Sequence, residues 1–167
     1  DRSRTASAGK FKGGLQDHSE VTVKYHTATH LIHAALRKIL GESVSQKGSN
    51  INGDRLRFDF SHSTAVTKEE LKQVEDQVND WIKQDFEVSK KTMQKQAALD
   101  DGALAFFVEK YPDEVSVYSI GNDDNTISKE FCGGPHVNHI GEIGEIEIFK
   151  EQSASAGVRR IYARLKQ

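Results

Sequence analysis

Between positions 26 and 40 the apolar residues Ala28, Leu31, Ile32, Ala35, Leu36 and Ile39 recur at helical spacing, and then the period changes. From 44 to 60 it falls to two around Asn52-Gly53, with Leu56, Phe58 and Phe60 alternating against Arg55, Arg57 and Asp59. A 3.6-residue stripe followed at once by a two-residue one commits the chain to mixing a helix with a half-buried hairpin. Gly41 supplies the helix stop, and Asn-Gly is a two-residue hairpin signal. Thr67 and Glu70 then spell a capping box ahead of Leu71, Val74, Val78, Trp81 and Ile82, which predicts a second amphipathic helix to about Gln84. Strands are expected over 86–93, 115–120, 127–131, 143–149 and 158–165, with a short helix over 94–100. The class is α+β, with helices packed on one face of an antiparallel sheet. Residues 1–20 are small, polar and basic without a sustained period and read as a flexible arm or linker remnant, leaving 21–167 as the folded domain.

The 167 residues carry 23 Lys+Arg against 25 Asp+Glu and 36% hydrophobic residues, enough for one soluble domain with a real core. No run reaches the ~18–20 apolar residues of a membrane span, and no signal peptide opens the chain, so no membrane role and a cytoplasmic location are expected. A net charge of −2 excludes bulk attraction to nucleic acid and leaves room for a local basic patch. The chain begins at Asp1 and its only methionine is Met93, so a piece of something longer is expected. Its single cysteine, Cys132, excludes an internal disulfide and leaves a thiol for metal or catalysis.

His26-Thr-Ala-Thr-His30 sets two imidazoles one turn apart on one helix face, and His33 and Arg37 continue that stripe away from the apolar side. Cys132-Gly-Gly-Pro-His136 offers a thiolate and an imidazole in a turn that cannot be helical. Together His26, His30, Cys132 and His136 supply three nitrogens and one sulfur, a set that suits Zn²⁺. The long separation of the pairs rules out a zinc finger; the ion would pin a loop against a preformed helix. The first pair is also close to the H-E-x-x-H of zinc proteases, but Thr27 stands where their general-base glutamate would be. Four protein ligands read as a closed site, whereas catalytic zinc keeps a position open.

With these motifs go Gln46-Lys-Gly-Ser, Leu56-Arg-Phe-Asp-Phe-Ser-His62, Gly102-Ala-Leu-Ala-Phe-Phe-Val-Glu-Lys-Tyr111, Gly141-Glu-Ile-Gly144 and Ala156-Gly-Val-Arg-Arg-Ile161. In this order they resemble the editing domain of alanyl-tRNA synthetases and the related free-standing trans-editing proteins. The resemblance implies a zinc-dependent deacylase that hydrolyses Ser-tRNA(Ala) and Gly-tRNA(Ala), with zinc on His26, His30, Cys132 and His136. One departure is Pro135, where that family's loop carries threonine; the proline resembles the threonyl-tRNA synthetase editing loop, making serine clearance from threonine tRNA the alternative. A zinc-stabilised RNA-binding module without activity is a further one.

The resemblance assigns Gln46 to positioning water or substrate, and ester hydrolysis, which needs donors to a developing oxyanion, adds the backbone amides of Gly133 and Gly134 as an expectation. Thr27, Thr29 or Gln46 would meet the serine hydroxyl. The partner implied is a tRNA(Ala) acceptor stem carrying a wrong amino acid, held by a basic rim of Lys47, Arg55, Arg57, Lys110, Arg159 and Arg160, beside the remainder of a synthetase if the chain is excised. Arg159 and Arg160 are adjacent in an alternating strand, so only one of them can face RNA.

Overall fold

A computed structural model describes residues 19–105, 111–122 and 124–166. Lys110 and the expected arm up to residue 18 lie outside them.

The first helix, α1, spans Glu20–Leu40. It begins well before the histidine pair because Ser19 caps it, its hydroxyl accepting from the Thr22 N–H at 3.3 Å. Ser19 and Glu20, expected at the end of the arm, therefore belong to the helix. Gly41 ends it, its N–H bonding back to the Arg37 carbonyl. The second helix, α2, covers Lys68–Gln84 and carries the expected capping box: Thr67 Oγ1 accepts from Glu70 N–H at 3.0 Å, and Glu70 Oε1 from Thr67 N–H at 2.9 Å.

Strands β1 (Gln46–Ile51) and β2 (Leu56–Ser61) form the expected hairpin, but its loop is longer than Asn-Gly alone predicts. Ile51 pairs with Leu56, and the Asn52 side-chain oxygen accepts from the N–H groups of Asp54 and Arg55. An Asx turn has replaced the two-residue turn. The two-residue turn is found elsewhere, at Ala156-Gly157 between β6 (Ile146–Ser155) and β7 (Val158–Leu165), where Gly157 takes a left-handed φ of 73°. These strands form an antiparallel sheet in the order β1-β2-β7-β6. A second antiparallel sheet, β3-β4-β5, is built from Glu87–Gln94, Glu114–Asn122 and Asn125–Phe131, with the short helix α3 (Lys95–Asp100) between its first two strands. The antiparallel layer is thus two sheets rather than one.

The main core lies between the four-stranded sheet and the two helices. Leu56, Phe58 and Phe60 of β2 and Ile161 and Ala163 of β7 meet Leu31, Ile32, Ala35 and Leu36 of α1 and Val74 and Val78 of α2, all without exposed surface. Each fully buried Phe, Leu or Ile contributes about 1.5–3 kcal/mol. A smaller cluster of Ala98, Ala103, Val115, Val117 and Phe131 backs the second sheet. Since α1 touches β1 and β2 on one side and β5 on the other, it is covered on its histidine face too. Among the described residues no helix is long and apolar enough to cross a membrane.

Candidate metal centre

The second sheet carries the loop that faces the histidines. As β5 ends, the Cys132 N–H bonds to the Ser116 carbonyl on β4 at 3.1 Å, and further along the Asn138 carbonyl accepts from Val88 on β3 at 2.8 Å. The segment from Cys132 to Asn138 is stapled to this sheet at both ends and crosses the face of α1 that bears His26 and His30. Its inward glycine, Gly134, is buried. A Cβ there would lie 2.2 Å from His26 Cε1, so only a residue without a side chain lets the loop come this close.

One donor atom from each of His26, His30, Cys132 and His136 lies within 4.8 Å of the others. Cys132 Sγ sits 3.4 Å from His26 Nε2, and the His26 and His136 rings stack at 4.3 Å. On the far side of each imidazole a partner holds Nδ1. His26 Nδ1 donates to the Pro135 carbonyl at 2.8 Å, and His30 Nδ1 meets a carboxylate oxygen of Glu130. His136 Nδ1 lies 2.9 Å from Thr27 Oγ1, which also accepts from the Val137 N–H at 3.1 Å and reaches the Val23 carbonyl at 3.3 Å. The hydroxyl has one proton; with Val23 as its acceptor, His136 Nδ1–H is a donor and the lone pair is on Nε2. That Nε2 is buried with no hydrogen-bond partner. Converging lone pairs beside an otherwise unsatisfied buried nitrogen fit a metal ion, and the outer hydrogen bonds are those that orient metal-bound imidazoles.

The charges at Cys132 and His136 agree with this use, while His30, held protonated by its neighbours, has to release its Nε2 proton for a metal to bind. Burial would raise the Cys132 thiol, but the imidazoles of His136, His26 and His30 outweigh it and bring the pKa down to about 3, favouring the thiolate that ligates. Burial alone would lower His30, yet Glu130 and Cys132 push it up to about 10. Glu130, despite burial, is held well below the carboxylate range by His30 and His33. Desolvation brings His136 down to about 3 and keeps it neutral. Tyr118, paired with Glu130 across β4 and β5, closes the cluster edge-on to His136 at 4.2 Å.

Residues 115–162 match the family described as the threonyl and alanyl tRNA synthetase second additional domain. The chain is 55% identical over 164 residues to the alanine–tRNA ligase of Treponema denticola, an overlap of 98% of this chain and 27% of that protein. It is 53% identical over 165 residues to the enzyme of Treponema pallidum, covering 99% of this chain and 27% of that one, and 51% identical over 144 residues to that of Saccharophagus degradans, covering 86% and 16%. The chain belongs with the editing-type domains of alanyl-tRNA synthetases. It spans about a quarter or less of the relatives it matches.

Of the remaining site residues expected of this editing-type domain, Thr27 touches the four-donor cluster and Gly133 and Gly134 belong to its loop. Gln46 opens β1 half-buried, opposite Phe60 on the sheet face that α1 covers, and its amide donates to Ser49 Oγ at 3.4 Å. Gly133 is exposed with open space where a Cβ would stand. Thr27 is fully buried on His136, and Thr29 donates to the Tyr25 carbonyl at 2.9 Å. Of the basic residues, Lys47 is exposed and Arg55 reaches Asn50 Oδ1 at 3.0 Å and lies over Tyr162. Arg57 lies 3.4 Å from Asp59, and Arg160 forms a two-pronged pair with the same carboxylate at 2.8 and 3.1 Å. Arg159, pointing to the opposite face, pairs with Glu151 at 2.7 and 3.0 Å. Neither member of the Arg-Arg pair is an uncommitted cation. His33 lies outside the four-donor cluster, as do His62, its ring tilted against Phe60 at 6.5 Å, and His139, 3.8 Å from Asp85. Glu130 was not anticipated from the sequence: its neighbours Ile127 and Phe131 mark the opposite strand face as the apolar one, and only the fold shows both faces covered.

Proposed function

We propose that this domain proofreads alanine tRNA, hydrolysing the ester of Ser-tRNA(Ala) and Gly-tRNA(Ala) with a zinc ion on His26, His30, Cys132 and His136, in the cytoplasm. The observation that carries the reading is the cluster itself: four N and S donors converge, with the outer nitrogen of every imidazole engaged, in a domain of the alanyl editing type. When bound, zinc supplies Lewis acidity and a fixed template for the amino or carbonyl end of the substrate.

The protein's own groups do the rest. Gln46 enters from the first sheet, and its amide both donates and accepts, as ordering a water or recognising a serine hydroxyl requires. The open space at Gly133 is where the ester approaches, with the N–H groups of Gly133 and Gly134 as donors to the developing oxyanion. Thr27 acts through His136. The acceptor stem follows Lys47, Arg55 and Arg57, with Arg160 beside them on the outer sheet face and Arg159 at the margin, and Lys110 is the remaining basic contact proposed. Such a second site is needed because an alanine pocket cannot reject smaller glycine by size and rejects an added hydroxyl only weakly.

Deacylation of Ser-, Gly- and Ala-tRNA(Ala) and of Ser-tRNA(Thr) by the zinc-loaded chain is the test. The first two should be cleaved and Ala-tRNA(Ala) spared, and Cys132→Ala should lose both metal and turnover. Intact esters with zinc bound would leave an RNA-binding module, and preference for Ser-tRNA(Thr) would establish the threonyl-type reading.

A further inference from the structure

Glu130 is a carboxylate with 5% exposure at the next-to-last residue of β5, a placement that desolvation makes costly unless its oxygens are engaged. Both are. One accepts from His30 Nδ1 and the other from His33 Nδ1 at 2.6 Å. His33 is itself fully enclosed and packs against the Phe58 ring at 5.5 Å, so the carboxylate is braced from the main core. Glu130 also shares its strand face with Tyr118, whose ring holds His136.

We infer that Glu130 is the positioning residue of this centre, fixing the ring orientation and tautomer of His30 so that Nε2 faces the metal. The inference rests on the proposed metal site and adds a residue outside the four ligands. A carboxylate only accepts, so both imidazoles must present Nδ1–H, which leaves Nε2 as the His30 nitrogen that would face a metal. Without this acceptor the ring is free to rotate about its side-chain bonds or carry its proton on Nε2, and either removes the ligand. His33 contributes by holding the second oxygen, which keeps the carboxylate from turning. The chain of contact runs from Phe58 through His33 and Glu130 to His30, linking the packed core to the ligand.

Zinc affinity by chelator competition and the visible spectrum of the Co²⁺-loaded chain test this in wild type, Glu130→Leu and Glu130→Gln. The leucine variant fills the volume and accepts nothing; it should bind zinc about 10- to 100-fold more weakly and alter the cobalt bands. Glutamine keeps one acceptor oxygen and should recover part of the loss. A merely structural Glu130 would lower thermal stability while leaving affinity and spectrum of the folded variants as in wild type, and that result overturns the inference. Should the variants not fold, nitrogen-15 imidazole spectra of the zinc-loaded wild type decide: His30 protonated on Nδ1 supports it, and on Nε2 overturns it. A wild type that takes up no metal overturns the metal reading and this inference with it, whereas uptake indifferent to Glu130 overturns this one alone.

Discussion

Replacing Gly134 by alanine adds one methyl where the loop crosses α1, and the geometry fixes what it does. The new Cβ would lie 2.2 Å from His26 Cε1 and 2.8 Å from Nδ1. Restoring an ordinary contact of at least 3.4 Å to Cε1 takes a shift of roughly 1 Å. Metal–ligand distances tolerate only about 0.2 Å, so a bond from His26 to the proposed ion would not survive that shift without the loop moving as well. The loop is not free to move: it is tied by the His26–Pro135 bond at 2.8 Å, the Val137–Thr27 bond at 3.1 Å and its backbone bonds to β3 and β4. Gly134→Ala should therefore cost about 1–3 kcal/mol in stability through overpacking and at least ~10-fold in zinc affinity. Neither Gly133 nor Gly134 takes left-handed backbone, so alanine probes space alone, and Gly133→Ala, with nothing within 4 Å, is the internal control. Thermal melts with and without zinc, plus chelator competition, read both quantities. If the two variants behave alike, the close approach of loop to helix is not what holds the ligands.

Gln46→Ala should keep folding and zinc content while slowing single-turnover deacylation at saturating enzyme by ~100- to 1,000-fold, the usual loss for a transition-state contact; an unchanged rate would make Gln46 an ordinary strand residue. For Glu151, burial would raise the carboxyl, but hydrogen bonds from Arg159 and the Val66 N–H hold it below its ordinary range. Its contribution is therefore complete above the ordinary carboxylate pKa and disappears as pH falls through the lower folded value. Urea midpoints measured at pH 6 and again near pH 3 should differ less in Glu151→Gln than in wild type, and an equal difference would place the acid sensitivity elsewhere.

Local signals carried much of this fold. The stripe of Leu31, Ile32, Ala35 and Leu36 and the Thr67–Glu70 box act within a few residues, so the helices were readable, as was the alternation of Leu56, Phe58 and Phe60. The polar end of β6, from Lys150 to Ser155, has little strand character of its own and is extended because β7 pairs with it. That the His26–His30 and Cys132–His136 motifs would bring their donors together was legible, because metal-type donors are few and their spacings are characteristic. Their supporting groups were not, because Glu130 and Thr27 are common residues whose roles depend on which element packs over them.

β7 lies between β2 and β6, although among the described strands it is the last to leave the ribosome. Until it arrives, the β1–β2 hairpin presents an unpaired edge on one side and β6 has no partner in its sheet. Long-range pairing of this kind is slow and leaves strand edges open to other chains while it waits. A nascent polypeptide halted before Val158 would thus hold all four candidate metal donors, His26 through His136, yet lack the strand that unites its main sheet. Synthesis order therefore makes the candidate metal donors available before the scaffold beneath them is complete, so any early ion capture would have to hold α1 and the loop together on an unfinished base.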